Sequence, residues 1–346
     1  MNMPEAIAKV IAGEDLSHQE MLDVMGLIMS GKATHAQIGG FLVGLRVKGE
    51  TIDEIRAGAT VMRELATPVT TQRENIVDTC GTGGSGSNKF NVSTASAFVA
   101  AAVGVAIAKH GSRGASSKSG SADLLEAAGA AIMLSPEQVG RCIDTVGVGF
   151  LFAMNHHSAM KHAIGPRRDM VVRTIFNLLG PLTNPAGAKR QLLGVYDKKW
   201  LRPMAEVLLA LGSEHVMVVH SDDGLDEISI AAPTSVAELK NGVIKEYRIE
   251  PADFGFPNGS LEGLIVEDSL GSLDLVNQAL AGINESATNI VALNAGAAIY
   301  LSSMAENLNE GVKLARKAIS GGLASAKLAE FVSYTADMPV SPFAAD

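Results

Sequence analysis

Two stretches rich in glycine and hydroxyl side chains concentrate the residues that could do chemistry. They are Cys80-Gly81-Thr82-Gly83-Gly84-Ser85-Gly86-Ser87-Asn88 and Lys109-His110-Gly111-Ser112-Arg113-Gly114-Ala115-Ser116-Ser117-Lys118-Ser119-Gly120-Ser121. Glycines let the backbone approach a ligand and turn its amides inward. Hydroxyls add neutral donors, and a helix that follows presents its positive N-terminal end. Two such loops after two successive strands point to a ligand with two separated anionic groups. The second loop adds fixed charge in Lys109, Arg113 and Lys118, the guanidinium suited to bidentate phosphate binding and the ammonium to a point contact. Farther on, Asp222, Asp223, Asp226 and Glu227 crowd four carboxylates together, which calls for a compensating cation. Mg²⁺ suits them, because it binds one or two carboxylates and completes its shell with substrate phosphates and water.

Gly81, Gly83 and Gly86 also satisfy the dinucleotide fingerprint G-x-G-x-x-G. That reading wants an acid at the end of the next strand to hold ribose hydroxyls. Lys109 and His110 stand there instead, which suits another phosphate. His156, His157 and His162 lack the spacing and the cysteines of a zinc site. No G-x-S-x-G elbow supports a covalent serine mechanism. Arg167, Arg168 and Arg173 lie in a helically spaced segment, and one facing a cleft could hold a substrate carboxylate.

The elements that must carry these residues follow from periodicity. Ile7, Val10 and Ile11, then Met21 to Ile28, Ile38 to Leu45, and Ile55 to Leu65 repeat at helical spacing, and Thr51-Ile52-Asp53-Glu54 is a capping box. Residues 1–70 therefore read as a small helical lobe, rejoined by about 165–187, where helical spacing resumes from Asp169 to Leu179. The remainder, 71–164 and 188–346, reads as a larger α/β domain with a central, mostly parallel sheet covered by helices. Its expected strands are Ile76 to Cys80, Val105 to Lys109, Gly149 to Ala153, Gln191 to Tyr196 and His215 to His220. Helices are expected at Asn91 to Val103 and Ser121 to Ala128. Edge strands are expected around Val243 to Ile249, followed by alanine-rich helices.

With 346 residues, 47% hydrophobic and 19% charged, the chain is an ordered globular protein with ample core. A net charge of −9 without a polybasic run argues against nucleic acid or a membrane surface as partner. Cys80 and Cys142 alone make no disulfide framework, and no secretory signal or membrane-length apolar run is present, so a cytoplasmic enzyme is expected.

Taken together, Gly81-Thr82-Gly83-Gly84, Asn91-Val92-Ser93-Thr94, Lys109-His110-Gly111, Ser116 to Asp123, Arg173 to Pro185 and Gly224-Leu225-Asp226-Glu227 resemble the anthranilate phosphoribosyltransferase family over nearly the whole chain. The resemblance implies a helical lobe hinged to a larger α/β domain, a homodimer formed through that lobe, and transfer of a phosphoribosyl group from phosphoribosyl pyrophosphate to anthranilate. It implies that Gly81, Gly84, Asn91, Ser93 and Thr94 line the pyrophosphate and ribose, and that Lys109, Arg113, Ser116, Ser117 and Ser121 serve the sugar phosphate. Ser85, Lys89, Val92, Gly111, Ser112, Gly114 and Ala115 complete the implied substrate-binding set. Ser93, Asp226 and Glu227 would ligate Mg²⁺. Arg167 would hold anthranilate, with His110 and Pro181 near its ring, and Lys109, His110 and Arg167 would act by positioning. Three residues depart from the family pattern: Ser85 stands where a carboxylate is usual, Ser112 where an asparagine faces the acceptor, and Lys89 where a small or apolar residue is usual. The two serines keep an altered aromatic acceptor open as an alternative, beside a nucleoside phosphorylase and a non-catalytic nucleic-acid-binding relative. The Asp226-Glu227 pair speaks against the phosphorylase, and the negative net charge against the nucleic-acid binder.

Overall fold

Each of the first four helices opens on a reciprocal cap, in which the N-cap side chain and the third helical residue accept one another's amides. The pairs are Asn2 and Glu5 for α1 (Met3–Ile11), Ser17 and Glu20 for α2 (His18–Met29), Thr34 and Gln37 for α3 (His35–Lys48), and Thr51 and Glu54 for α4 (Ile52–Leu65). Between them Met21, Met25, Ile28, Ile38, Phe41, Leu42, Leu45 and Ile55 are fully buried. Glu54 is buried too. It accepts the Leu16 amide at 2.9 Å and the Lys48 ammonium at 3.0 Å, joining the α1–α2 connection to α3 and α4. The computed structural model describes residues 1–83, 88–114, 117–256 and 259–339.

Beyond α4 the chain crosses into the second body, where the Thr67 amide donates to the His156 carbonyl at 2.8 Å and the Val69 amide to the Pro185 carbonyl at 3.0 Å. Strands and helices then alternate: β1 (Val77–Gly81), α5 (Val92–Ala102), β2 (Ile107–Gly111), α6 (Ser121–Ala127), α7 (Pro136–Val146), β3 (Val148–Phe152), α8 (Ala153–His156), α9 (Lys161–Met170), α10 (Ile175–Leu179), β4 (Arg190–Gly194), α11 (Leu201–Ala210) and β5 (His215–Ser221). A hairpin of β6 (Thr234–Lys240) and β7 (Val243–Ile249) follows, then α12 (Ser269–Leu280), α13 (Glu285–Leu301), α14 (Leu308–Ser320) and α15 (Leu323–Ala336). Among the described residues the strands form one seven-stranded sheet in the order β3-β2-β1-β4-β5-β6-β7. Its first five members are parallel, and β6 and β7 are antiparallel.

Alternate residues of β5 enter different cores, as the two-residue period of a strand requires. Met217 and Val219 join the cluster built with α5, α13 and α15, while Val216 and Val218 join the one built with α11 and the N-terminal helices. The second cluster also holds Ile175, Phe176, Leu178 and Leu179 of α10, and α9 packs on α2 and α3. The fold is therefore α/β, a helical bundle beside a larger domain with a mostly parallel sheet.

The structure adjusts three local expectations. The second strand lies two residues later than its apolar run, because Lys109, His110 and Gly111 continue the pairing with Phe150, Leu151 and Phe152. Helical spacing from Asp169 to Leu179 conceals a break: Val171 takes a left-handed φ of 51°, and α10 starts anew at Thr174, whose amide donates to Asn177 Oδ1 at 3.0 Å. The expected edge strand is half of a hairpin turning on Asn241 and Gly242, both at positive φ as a two-residue type I′ turn demands.

Replacing Glu54 by alanine removes the buried carboxylate from the Lys48 ammonium, only 3% exposed, and leaves it the Gly49 carbonyl and the exposed Asp15. The expected cost is ~3 kcal/mol of unfolding free energy. Urea unfolding checks it, and a loss no larger than that of an exposed helix substitution would contradict the assigned role.

Candidate active site

The sheet order reverses at β1, whose chain leaves toward β2 on one side while β4 arrives on the other. A crevice therefore opens at the carboxyl ends of β1 and β4. Both strands end in glycine, and Gly81 and Gly194 are paired across the crevice. The loop after β5 passes over them. A Cβ on Gly194 would lie 1.7 Å from the Asp226 carbonyl oxygen, and one on Gly81 would lie 2.7 Å from Asp226 Oδ2. The Gly83 amide donates to the same Oδ2 at 3.1 Å, tying the first glycine-rich loop to this carboxylate. Thr82 is held by Gly194 and Tyr196: its amide donates to the Gly194 carbonyl at 2.8 Å, and its hydroxyl accepts the Tyr196 amide at 3.0 Å.

The four clustered carboxylates separate into two pairs. Asp222 bonds Arg248, and Asp223 accepts the Ser221 and Ser229 hydroxyls and the Leu225 amide, so both shape the loop. Asp226 and Glu227 face inward. Burial, with Asp226 alongside, raises the Glu227 carboxyl to about 8 against the opposing pull of Lys109 and the Ser93 amide. Lys109 is 2% exposed and donates to the Thr79 carbonyl at 2.5 Å and to Ser93 Oγ at 3.3 Å. Burial lowers its pKa, opposed by the fields of Asp78, Cys80 and Glu227. Half-buried Lys89 is lowered by burial in the same way, with Asp223 and Asp226 opposing.

Asn91, at the N-cap of α5, is drawn into a knot. Its Oδ1 accepts the Ser119 and Ser272 hydroxyls at 2.8 and 2.7 Å, and its Nδ2 donates to the Ser119 carbonyl at 3.2 Å. Val92 is buried beside it, and the Thr94 hydroxyl donates to Ser121 Oγ at 3.0 Å across the start of α6. Asp123 folds the second loop by accepting the Gly114 and Gly120 amides, both at 2.8 Å. Arg113 turns toward α6, paired with Asp123 and Glu126, with its guanidinium 5.6 Å from the Phe152 ring centre. Ser117 and Lys118 are exposed on this loop. Gly84, Ser85, Ala115 and Ser116 lie outside the described residues.

On the other side of β2, His110 is buried with Nε2 at 3.2 Å from His157 Nε2. Burial first, then the neighbouring histidines, hold the His110 pKa well below its ordinary value, and burial lowers His157 to about 4. The three clustered histidines diverge: His156 turns to the Thr67 carbonyl, His157 to His110, and His162 lies against Gly31. Arg167 on α9 sits 5.1 Å from the ring centre of Phe176 on α10, and burial lowers its pKa. The same α10 runs into the Gly180–Leu182 turn that carries Pro181. Gly111 ends β2 under Phe150 and Ser121, and Ser112 is exposed, its hydroxyl donating to the Arg113 carbonyl at 3.0 Å. Sequence reasoning passed over Gly194, Ser272 and the His110–His157 contact, since each depends on a partner brought from a distant part of the chain.

The glycosyl transferase family described by its a/b domain matches residues 73–325, and its helical bundle domain matches residues 4–66. The chain is 61% identical over 337 residues to the anthranilate phosphoribosyltransferase of a Marinomonas species, covering 97% of both. It is similar to the crystal structure of the Thermus thermophilus enzyme of that name, with a TM-score of 0.89 and 42% identity over 95% of this chain and 99% of that one. The Saccharomyces cerevisiae enzyme in complex with PRPP and Mg aligns with a TM-score of 0.88 and 26% identity, over 97% of this chain and 98% of that one.

Burial keeps His110, His156 and His157 neutral in the fold, whereas in the unfolded chain each binds a proton below pH ~6.5. Stability should therefore fall as pH drops from ~6.5 toward 4. His157→Gln should make that fall shallower in melting temperatures recorded against pH. An unchanged slope would contradict the assigned burial.

Proposed function

The chain belongs to the anthranilate phosphoribosyltransferase family and transfers the phosphoribosyl group of phosphoribosyl pyrophosphate to anthranilate, a step of tryptophan biosynthesis, and we propose that it does so in the crevice between β1 and β4. The convergence of Asp226, Glu227, Lys109 and Ser93 at that crevice carries the assignment. In the reaction the ribose C1–oxygen bond to pyrophosphate breaks with oxocarbenium character, the amine nitrogen bonds to C1, and one proton leaves the nitrogen.

Asp226, Glu227 and the Ser93 hydroxyl form a hard-oxygen donor set with two carboxylates, the kind Mg²⁺ uses when substrate phosphates complete its shell. These residues fit that ion, and when bound it supplies neutralisation of the departing pyrophosphate charge. Gly81, Gly84, Ser85, Lys89, Asn91, Val92, Ser93 and Thr94 form the pyrophosphate and ribose side. Lys109, Gly111, Arg113, Gly114, Ala115, Ser116, Ser117 and Ser121 form the sugar-phosphate side, for which Arg113 must leave Asp123 and Glu126. Arg167, His110, Ser112 and Pro181 form the acceptor side. An aromatic amine is nucleophilic without a strong base, so neutral His110, Lys109 and Arg167 act by positioning.

We assign residues 1–70 with 165–187 to the small lobe and 71–164 with 188–346 to the large domain, supported by the apolar cluster that α10 shares with α1–α4. Exposed Ile11, Val43 and Val47 on α1 and α3 support a homodimer through this lobe. Two free cysteines support a cytoplasmic location, and no helix among the described residues is long and apolar enough to cross a membrane.

Anthranilate fluorescence should disappear on adding phosphoribosyl pyrophosphate with Mg²⁺ and persist when the metal is chelated. Persistence under both conditions, or loss that ignores the metal, would overturn the reading.

A further inference from the structure

Asp78 lies inside β1, an interior strand between β2 and β4, and is fully buried. A carboxylate there is costly, and an apolar residue of similar volume would often leave the fold as stable or more so. Its bonds show what it holds instead. Oδ1 accepts the His110 backbone amide of β2 at 3.1 Å, and Oδ2 faces Gln191 Nε2 of β4 at 3.4 Å. Gln191 Nε2 in turn donates to the Pro181 carbonyl at 2.7 Å. The side-chain amide of Asn184 also bonds the carboxylate, while its Nδ2 donates to the Ala108 carbonyl at 2.8 Å. Both ends of the Pro181–Asn184 turn are thereby tied to one carboxylate, and so is the backbone of His110. Lys109 supplies the opposing charge.

We infer that Asp78 is a positioning residue for the acceptor side, fixing His110 and Pro181 in one register through its own bonds and through Gln191. This rests on the reading that His110 and Pro181 border the anthranilate site. Among the described residues neither Asp78 nor Gln191 bonds Gly81, Thr82, Gly83 or the Asp226-Glu227 pair. Gln191 Nε2 also donates to Cys80 Sγ at 3.1 Å and Asp78 interacts with the same thiol, so the removal of Gln191 is the change that acts mainly on the acceptor side. Asp78 is charge-coupled to Lys109, whereas Gln191 is not, and the pair of substitutions separates geometry from charge.

Steady-state kinetics on Asp78→Asn and Gln191→Leu test the inference, with His110→Ala as a control for the site itself. Loss of a bond to a buried charge predicts a rise of about tenfold in the anthranilate KM of Gln191→Leu, with the phosphoribosyl pyrophosphate KM held within about twofold. Asp78→Asn should raise the anthranilate KM at least as far. If Asp78→Asn does not fold, Gln191→Leu alone decides. Folded variants whose two KM values rise together, or do not move, while His110→Ala raises the anthranilate KM, overturn the positioning role. An unchanged anthranilate KM in His110→Ala overturns the acceptor-site reading beneath it, and the inference with it.

Discussion

The site depends on how closely the Asp226 main chain approaches the ends of two strands. Its carbonyl lies where the Cβ of any residue larger than glycine at position 194 would have to be, and its carboxylate crowds the corresponding space at Gly81. That approach lets an acidic loop launched from β5 reach across β4 to the crevice at β1. The first glycine-rich loop is then tied to a carboxylate already in place, through the Gly83 amide. The parallel register of β1 with β4 sets the level at which the two glycines meet.

Charge balance follows from this geometry. Burial, and then the neighbouring Asp226, disfavour the Glu227 carboxylate and raise its pKa. Lys109, reaching from β2 behind β1 to the Thr79 carbonyl and the Ser93 hydroxyl, offsets part of that rise and joins the base of the second loop to the start of α5. The same lysine opposes Asp78, whose bonds run the other way, to His110 and to the turn at Pro181. One buried ammonium therefore stands between the Asp226-Glu227 pair and the carboxylate that holds His110 and the Pro181 turn, which accounts for polar groups of this cost inside the sheet.

Much of this was legible in the residues. Short apolar runs separated by helical spacing gave the parallel strands, and the first glycine–serine loop and Asp226, both picked out by residue type, meet at the ends of β1 and β4. What escaped has a common cause. Gly194 is one glycine at the end of an apolar strand, and its necessity comes from a loop that arrives 32 residues later, after an intervening helix and strand. Asn91 reads as a ligand residue, yet its side chain is engaged by Ser119 and by Ser272, the latter 181 positions away. Arg113 reads as a free phosphate clamp and is ion-paired with Asp123 and Glu126 of the helix that follows. The break at Val171 is invisible to periodicity, because a new cap at Thr174 restores the same apolar face within one turn. The Asn241-Gly242 hairpin signal, by contrast, was present in the sequence and could have separated β6 from β7.

Gly194→Ala tests the central constraint most directly, with kcat/KM for phosphoribosyl pyrophosphate measured beside a melting curve. The added methyl must push the Asp226 backbone away by more than an ångström, and a shift of that size should cut kcat/KM on the order of a hundredfold while the fold persists. A folded Gly194→Ala enzyme with wild-type kcat/KM would show that the approach of Asp226 to the strand ends does not organise the site.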